Sequence, residues 1–296
     1  MREVTALILT KDEELHIARA IKSAQQVASE VLVVDSGSRD STVTIAKDLG
    51  ATVLFNPWTN HADQVNWALA NLPSKRRWLL RLDADETISP DLVLRIKVAL
   101  KNPNVAGFEL GRQIKFFGRP IRFGGVGSVP TLRLFEAEKG YCESRWMDEH
   151  IVVNGGTSYL GAGLLDENLN SLTWWISKHN WYASLEAYQV ILNKNEGFLG
   201  NKEGYRLGKI ALVKRILKDR LYLSLPIGMR AGLYFFYRYV VRGGFLDGWP
   251  GLVFHFLQAF WFRFLVDAKV SEVLRFAKVN KLSELEAARV VLSIDP

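Results

Sequence analysis

The chain of 296 residues has a single cysteine, Cys142, so no intrachain disulfide can form and a reducing compartment fits. No G-x-G-x-x-G follows its first apolar run, which argues against a dinucleotide site, and no G-x-x-x-x-G-K-[ST] occurs, which excludes a P-loop. Histidine and cysteine nowhere cluster with zinc spacing. Internal repeats and low-complexity linkers are absent. The opening MREVTALILTKDEE has a short apolar run followed by acids, so it reads as a buried strand and not as a signal peptide. Acids are scarce in one region. From Arg206 to Arg242 nine Lys or Arg accompany one acid, Asp219, giving +8 there against +7 for the whole chain. The remainder is near neutral, so the uniform basic surface that suits nucleic acid is missing. What is present is 48% hydrophobic and 23% charged, enough for one large domain, or one domain with an appendage.

Apolar runs of strand length alternate with helical stripes from residue 4 to 100. Val4 to Leu9, Val31 to Val34, Thr52 to Phe55 and Trp78 to Leu82 read as strands. Leu15, Ile17, Ala18, Ile21 and Ala24 make the stripe of the first helix, and His61 to Asn71 is another helix. This alternation predicts an α/β domain with a mostly parallel sheet. Three strand ends carry polar clusters, at Thr10 to Glu14, Asp35 to Ser38 and Asp83 to Asp85. In a parallel sheet they share one edge, where open α/β folds bind ligands.

The sharpest signal is WLLRLDADET, Trp78 to Thr87. Two carboxylates one residue apart, Asp83 and Asp85, end a buried strand. Such a pair repels itself and calls for a proton or a hard cation, Mg²⁺ or Mn²⁺. A plainer reading is a surface turn before the helix that opens at Ser89, Pro90 and Asp91. Plainer readings also exist for Asp35, an Asx turn, and for Lys11, a solvated lysine.

The series ILTKDEE, VVDSGSRDST and LLRLDADE resembles the inverting family 2 glycosyltransferases of GT-A fold, most of all the bacterial branch that builds lipopolysaccharide cores and surface polysaccharides. The family usually has Asn where this chain has Asp12, a minor departure. The resemblance implies a Rossmann-like GT-A domain and a UDP- or GDP-linked sugar donor. It implies that Thr10, Glu13 and Asp35 contact the nucleotide, with Lys11, Ser36 and Ala84 in the same clusters, and that Gln64 and Asn66 help seat it. Asp83 and Asp85 become the DxD that holds metal and sugar diphosphate.

The next stretch, RQIKFFGRPIRFGG, sets Arg112, Arg119 and Arg122 among aromatics and glycines, and Arg133 follows. These arginines suit phosphate or an anionic acceptor, although each alone is as readily an ordinary solvated residue. Inverting transfer needs a base for the acceptor hydroxyl. The family places an acidic pair near WMDEH, where Asp148 and Glu149 both qualify and spacing does not choose between them.

Leu172 to Asn193 is a helix pattern rich in aromatics, and of 34 aromatics in the chain 13 lie between Tyr234 and Phe264. Trp249 to Val266 is long enough to raise a membrane span, but it holds His255, Gln258 and Arg263. Lys and Arg interleaved with aromatics suit helices lying in a membrane interface. The expected organisation is a GT-A domain over 1–165 and a helical, amphipathic extension over 166–296, with its membrane-interface segment at about 206–266. The expected partners are a nucleotide sugar, a lipid-linked or glycan acceptor and the cytoplasmic face of the inner membrane, with a homo-oligomer left open. Two other readings compete. D-x-D-x-T also fits a haloacid-dehalogenase-type phosphatase with Asp83 as nucleophile, though that family carries it on the first strand. A non-catalytic membrane scaffold on a transferase fold is the third.

Overall fold

The computed structural model describes residues 4–72, 78–143, 150–195 and 228–294. They form two compact units, divided between Ser171 and Leu172. The first unit is a mixed sheet with helices on both faces. Its strands are β1 (Val4–Thr10), β2 (Glu30–Asp35), β3 (Thr52–Phe55), β4 (Trp78–Asp83), β5 (Glu86–Ile88), β6 (Gly107–Phe116), β7 (Arg119–Pro120), β8 (Val129–Glu136), β9 (Gly140–Cys142), β10 (Ile151–Val153) and β11 (Thr157–Glu167). Its helices are α1 (Ile17–Ala24), α2 (Thr42–Asp48), α3 (His61–Ala70) and α4 (Pro90–Ala99). The main sheet runs β3-β2-β1-β4-β8-β6-β11-β5, with β7 paired to β6, and β9 and β10 make a separate hairpin. This is the architecture of a GT-A domain.

The four amino-terminal strands are parallel; β1, β2 and β4 are buried on both faces, which is why their sequences are nearly unbroken apolar runs, while β3 forms the sheet's edge and is partly exposed. Successive residues point to opposite faces. Ala6, Ile8, Val31, Val33, Leu80 and Leu82 pack under α1, α2 and α4. Leu7, Leu32, Val34 and Leu79 pack under α3 and the β9–β10 hairpin. The register sets Thr10 beside Asp35 and Leu9 beside Asp83, so the polar strand ends do share one edge. Two local expectations shift. Leu15 is 55% exposed because the helix starts only at Ile17, and Ala20 takes its place in the buried stripe. Beyond β4 the sheet turns antiparallel, since β8 inserts between β4 and β6. β11 then runs parallel to β6 as far as Glu167, carrying the first unit past residue 165.

The second unit holds α5 (Leu172–Asn195), α6 (Met229–Phe236), α7 (Gly248–His255), α8 (Phe262–Asn280) and α9 (Glu284–Leu292), with π-helical turns at Tyr237–Val241 and Phe256–Trp261. Helix α5 packs on α8 and α9 through small and aliphatic residues such as Ala183, Ala187, Ile191, Val273, Ala277 and Ala288. Helix α9 starts on a capping box formed by Ser283 and Glu286. Residues 206–227 of the expected basic segment lie outside the described residues.

Burial holds two histidines of this unit neutral. His179, stacked on Trp175 with ring centroids 3.5 Å apart, and His255, fully buried, are both pushed down to about 4. In the unfolded chain each takes a proton near its ordinary value of about 6.5. Stability is therefore complete above that value and is lost as pH falls toward 4, by up to about 1.4 kcal/mol per pH unit for each histidine. Urea unfolding followed by tryptophan fluorescence should show a lower midpoint at pH 5 than at pH 7.5, and His255→Phe should flatten that dependence. A midpoint constant over this range would refute the neutral-histidine account.

Candidate active site

The loop after β1 is built to meet the loop after β2. Asp12 has φ +54°, a left-handed conformation in which Asn and Asp are the best-tolerated side chains after glycine. An Asp where Asn is usual thus meets the same backbone demand. Its carboxylate accepts from Arg39 N at 2.7 Å, and its own N–H donates to Ser38 Oγ at 2.8 Å. Glu13 is buried, donates its N–H to Thr42 Oγ1, and bonds His16 Nδ1 at 2.6 Å. His16 Nε2 accepts from Leu169 N, so the ring proton sits on Nδ1 and the imidazole fixes the Glu13 carboxylate. Thr10 Oγ1 is buried with no hydrogen-bond partner among the described residues. Asp35 makes the Asx turn, accepting from the N–H groups of Gly37 and Ser38 and from Ser38 Oγ. Ser36 Oγ donates to Thr10 O, tying the two strand ends together, and Lys11 is exposed.

The two acids of the DxD have different surroundings. Arg81 Nη2 donates to Asp83 Oδ1 at 2.9 Å, and Arg133 Nη2 donates to Asp83 Oδ2 at 2.6 Å. Burial pushes the Asp83 carboxyl up, but the Arg133 and Arg81 guanidiniums override it and hold it well below the usual carboxylate range. Arg133 also donates to Glu86 Oε1 at 2.6 Å, while Glu86 Oε2 accepts from Asp83 N. Arg133 and Glu86 are 2% and 0% exposed. The sequence groups Arg133 with acceptor-facing arginines, whereas the structure commits it to these two carboxylates. Arg81 donates as well to His61 Nε2 at 2.8 Å, and burial together with Arg81 keeps that imidazole neutral.

Asp85 and Ala84 form the turn between β4 and β5. The Asp85 carboxylate accepts from Asn168 Nδ2 at 3.3 Å, and its carbonyl accepts from Glu167 N at 3.1 Å. This brings the end of β11 against it. Asp166, one residue away on β11, has its carboxyl pushed up to about 8 by burial and by the Asp85 charge, only partly offset by Arg112 at 3.4 Å. Sequence reasoning missed Asp166. The helix-cap duty offered as the plain reading of the motif falls to Ser89, which accepts from Leu92 N.

The remaining expected residues scatter. Gln64 is buried and donates to the carbonyls of Asn56 and Pro57, shaping the loop before α3, and its Oε1 has no partner among the described residues. Asn66 exchanges two bonds of 2.9 Å with the backbone of Cys142, so its amide pins β9 to α3. Arg119 and Arg122 are exposed. Asp148 and Glu149 lie outside the described residues. Among the described residues no three His, Cys, Asp or Glu gather as a metal cluster. Two carboxylates completed by substrate phosphates are nevertheless a common Mg²⁺ arrangement, and Asp85 with Asp166 has that chemistry.

The sequence profile of Glycosyl transferase family 2 matches residues 5–122. An uncharacterized glycosyltransferase of Rickettsia felis is 29% identical over 301 residues, 97% of this chain and 95% of the relative. A lipopolysaccharide core biosynthesis glycosyltransferase of Rhizobium meliloti, LpsC, is 27% identical over 264 residues, 86% of this chain and 90% of the relative. The solved structure of S. aureus TarS 1-349 shares 17% identity and covers 98% of this chain and 90% of that one, with a TM-score of 0.44.

Proposed function

Starting from an amino-terminal unit that belongs to the family 2 glycosyl transferases, we propose that the chain moves a sugar, with inversion, from a UDP- or GDP-linked donor to a lipid-linked or lipopolysaccharide-type acceptor at the cytoplasmic face of the inner membrane. The relative named for lipopolysaccharide core biosynthesis supports the acceptor class. One observation carries the chemistry: the DxD strand ends with Asp83 neutralised by two arginines and Asp85 near enough to a second acid, Asp166, for its charge to push that carboxyl up. Asp85 and Asp166 would hold Mg²⁺ or Mn²⁺, which when bound supplies charge neutralisation for the departing diphosphate. Thr10, Asp35 and Glu13 line the sheet edge where the nucleoside would lie, with the orphaned Thr10 hydroxyl available to it. Arg112, Arg119 and Arg122 would meet an anionic acceptor. Asp148 or Glu149 would take the proton of the attacking hydroxyl. The phosphatase reading fares worse, because a nucleophilic Asp83 would have to attack with both oxygens engaged by guanidiniums.

The test is nucleotide release from UDP- and GDP-sugars with Mn²⁺ and a lipid-linked acceptor. Transfer dependent on acceptor and stopped by EDTA is expected. Full activity in EDTA would remove the cation, and release of inorganic phosphate from phosphomonoesters would favour the phosphatase. In the same assay the true base among Asp148→Asn and Glu149→Gln should lose about 10²–10⁴ in rate yet still bind nucleotide. Near-normal rates in both would move the base elsewhere.

A further inference from the structure

The second unit carries a helix whose amphipathic sense is reversed. Along α6 and the π-helical turn after it, Leu233, Phe236, Val240 and Val241 recur at helical spacing, and they are 53%, 55%, 45% and 61% exposed. The charged residue of that stretch points inward. Arg238 is 4% exposed, donates to Gln258 at 2.8 Å, and lies over the rings of Tyr234 and Phe254. Arg230 is likewise turned in, forked onto Asp267. The following segment repeats the pattern, with His255 fully buried while Leu246 and Trp249 are 59% and 71% exposed. The two segments pack together, Phe245 meeting Tyr239 and Gly244 closing onto His255. A helix facing water puts its polar side out. Here polar groups are inside and large apolar side chains outside over a contiguous stretch, more than the scattered exposure usual for a surface.

We infer that this face, from Leu233 to Trp249, is a membrane-seating edge that lies in the headgroup region of an anionic phospholipid bilayer without crossing it. Charge favours that occupant. Asp247 is the one acid between Met229 and Val266, against Arg230, Arg238, Arg242 and Arg263, and Arg242 is exposed beside the patch. A two-fold pairing through this face would set that net positive charge against itself. An anionic bilayer attracts it, and Trp and Tyr suit the interface. No helix among the described residues is long and apolar enough to span. The inference deepens the reading of a lipid-linked acceptor and rests on it for its purpose, but its test uses neither donor nor acceptor.

The intact protein is floated with vesicles of phosphatidylglycerol and phosphatidylcholine. Wild type should float, with moderate salt loosening the binding and leaving an apolar remainder. Phe236→Ser, Leu246→Ser and Trp249→Ser combined should reduce the floated fraction at least ten-fold while nucleotide-sugar hydrolysis and circular dichroism stay unchanged. Should that variant misfold, brominated lipid answers instead: it should quench wild-type fluorescence, and Trp249→Phe should remove most of the quenching. Wild type that ignores vesicles at low salt, or whose quenching survives Trp249→Phe, overturns the inference. So does sedimentation as a dimer that the triple substitution dissociates, which would assign the face to a second copy. Flotation together with transfer only to water-soluble acceptors would uphold the edge and remove the lipid acceptor, so the two readings fail separately.

Discussion

Asp85→Asn is expected to lower sugar transfer by about 10³-fold and to leave the urea midpoint where it was. The carboxylate sits in the turn between β4 and β5, where Asn168 donates to it at 3.3 Å, a contact that the amide of an asparagine can also accept, so the fold should tolerate the exchange. Its loss would remove the charge that a divalent ion needs, and several kcal/mol of transition-state stabilisation is equivalent to about three decades of rate. Mn²⁺ titration followed by electron paramagnetic resonance, with nucleoside diphosphate present, separates binding from turnover. Asp85→Asn and Asp166→Asn should both weaken Mn²⁺ binding. Asp83→Asn should act chiefly on stability, because its carboxylate is the counter-charge of Arg81 and Arg133. If Asp83→Asn abolished Mn²⁺ binding while Asp166→Asn left it intact, the cation would belong with Asp83 and the division of labour argued above would be wrong.

Arg133→Met should cost about 3–5 kcal/mol of unfolding free energy, because removing one partner of a buried ion pair leaves the others uncompensated. The guanidinium is 3% exposed and holds both Asp83 and Glu86, whose side chain is 1% exposed. Coupling gives the sharper check. Glu86→Gln in the Arg133→Met background removes one stranded charge, so the double variant should be less destabilised than the two single losses added together. Strict additivity in urea titrations would mean that Arg133 and Glu86 do not act as a unit.

The amino-terminal half of the fold was legible because burial on both faces leaves its mark in sequence. Runs such as VLVV and WLLRL have few other solutions, and the acids after them mark the strand ends. The antiparallel insertion of β8 was not legible, since long-range pairing leaves no local periodicity of its own. Asp166 was the costly omission. GLLDEN repeats the pattern of LLRLDADE, apolar residues and then acid, and the same reasoning applied to it would have placed a second carboxylate at the edge. Arg133 misled for the opposite reason. Composition cannot tell an arginine that awaits an anionic ligand from one already engaged by Asp83 and Glu86. In the second unit aromatic density was visible, but its sorting into inward Phe254 and Phe262 and outward Phe236 and Trp249 depends on packing around Arg238 and His255.

Asn66 grips the backbone of Cys142 from both sides, and the thiol itself is 2% exposed. As this is the chain's single cysteine, the native protein has no accessible thiol at which a thiol-directed reagent can act without unfolding it. The sequence therefore comes ready for site-specific labelling. A cysteine introduced at a chosen surface position would be the sole reactive handle, and a spin label or environment-sensitive dye attached there would report one location against a silent background.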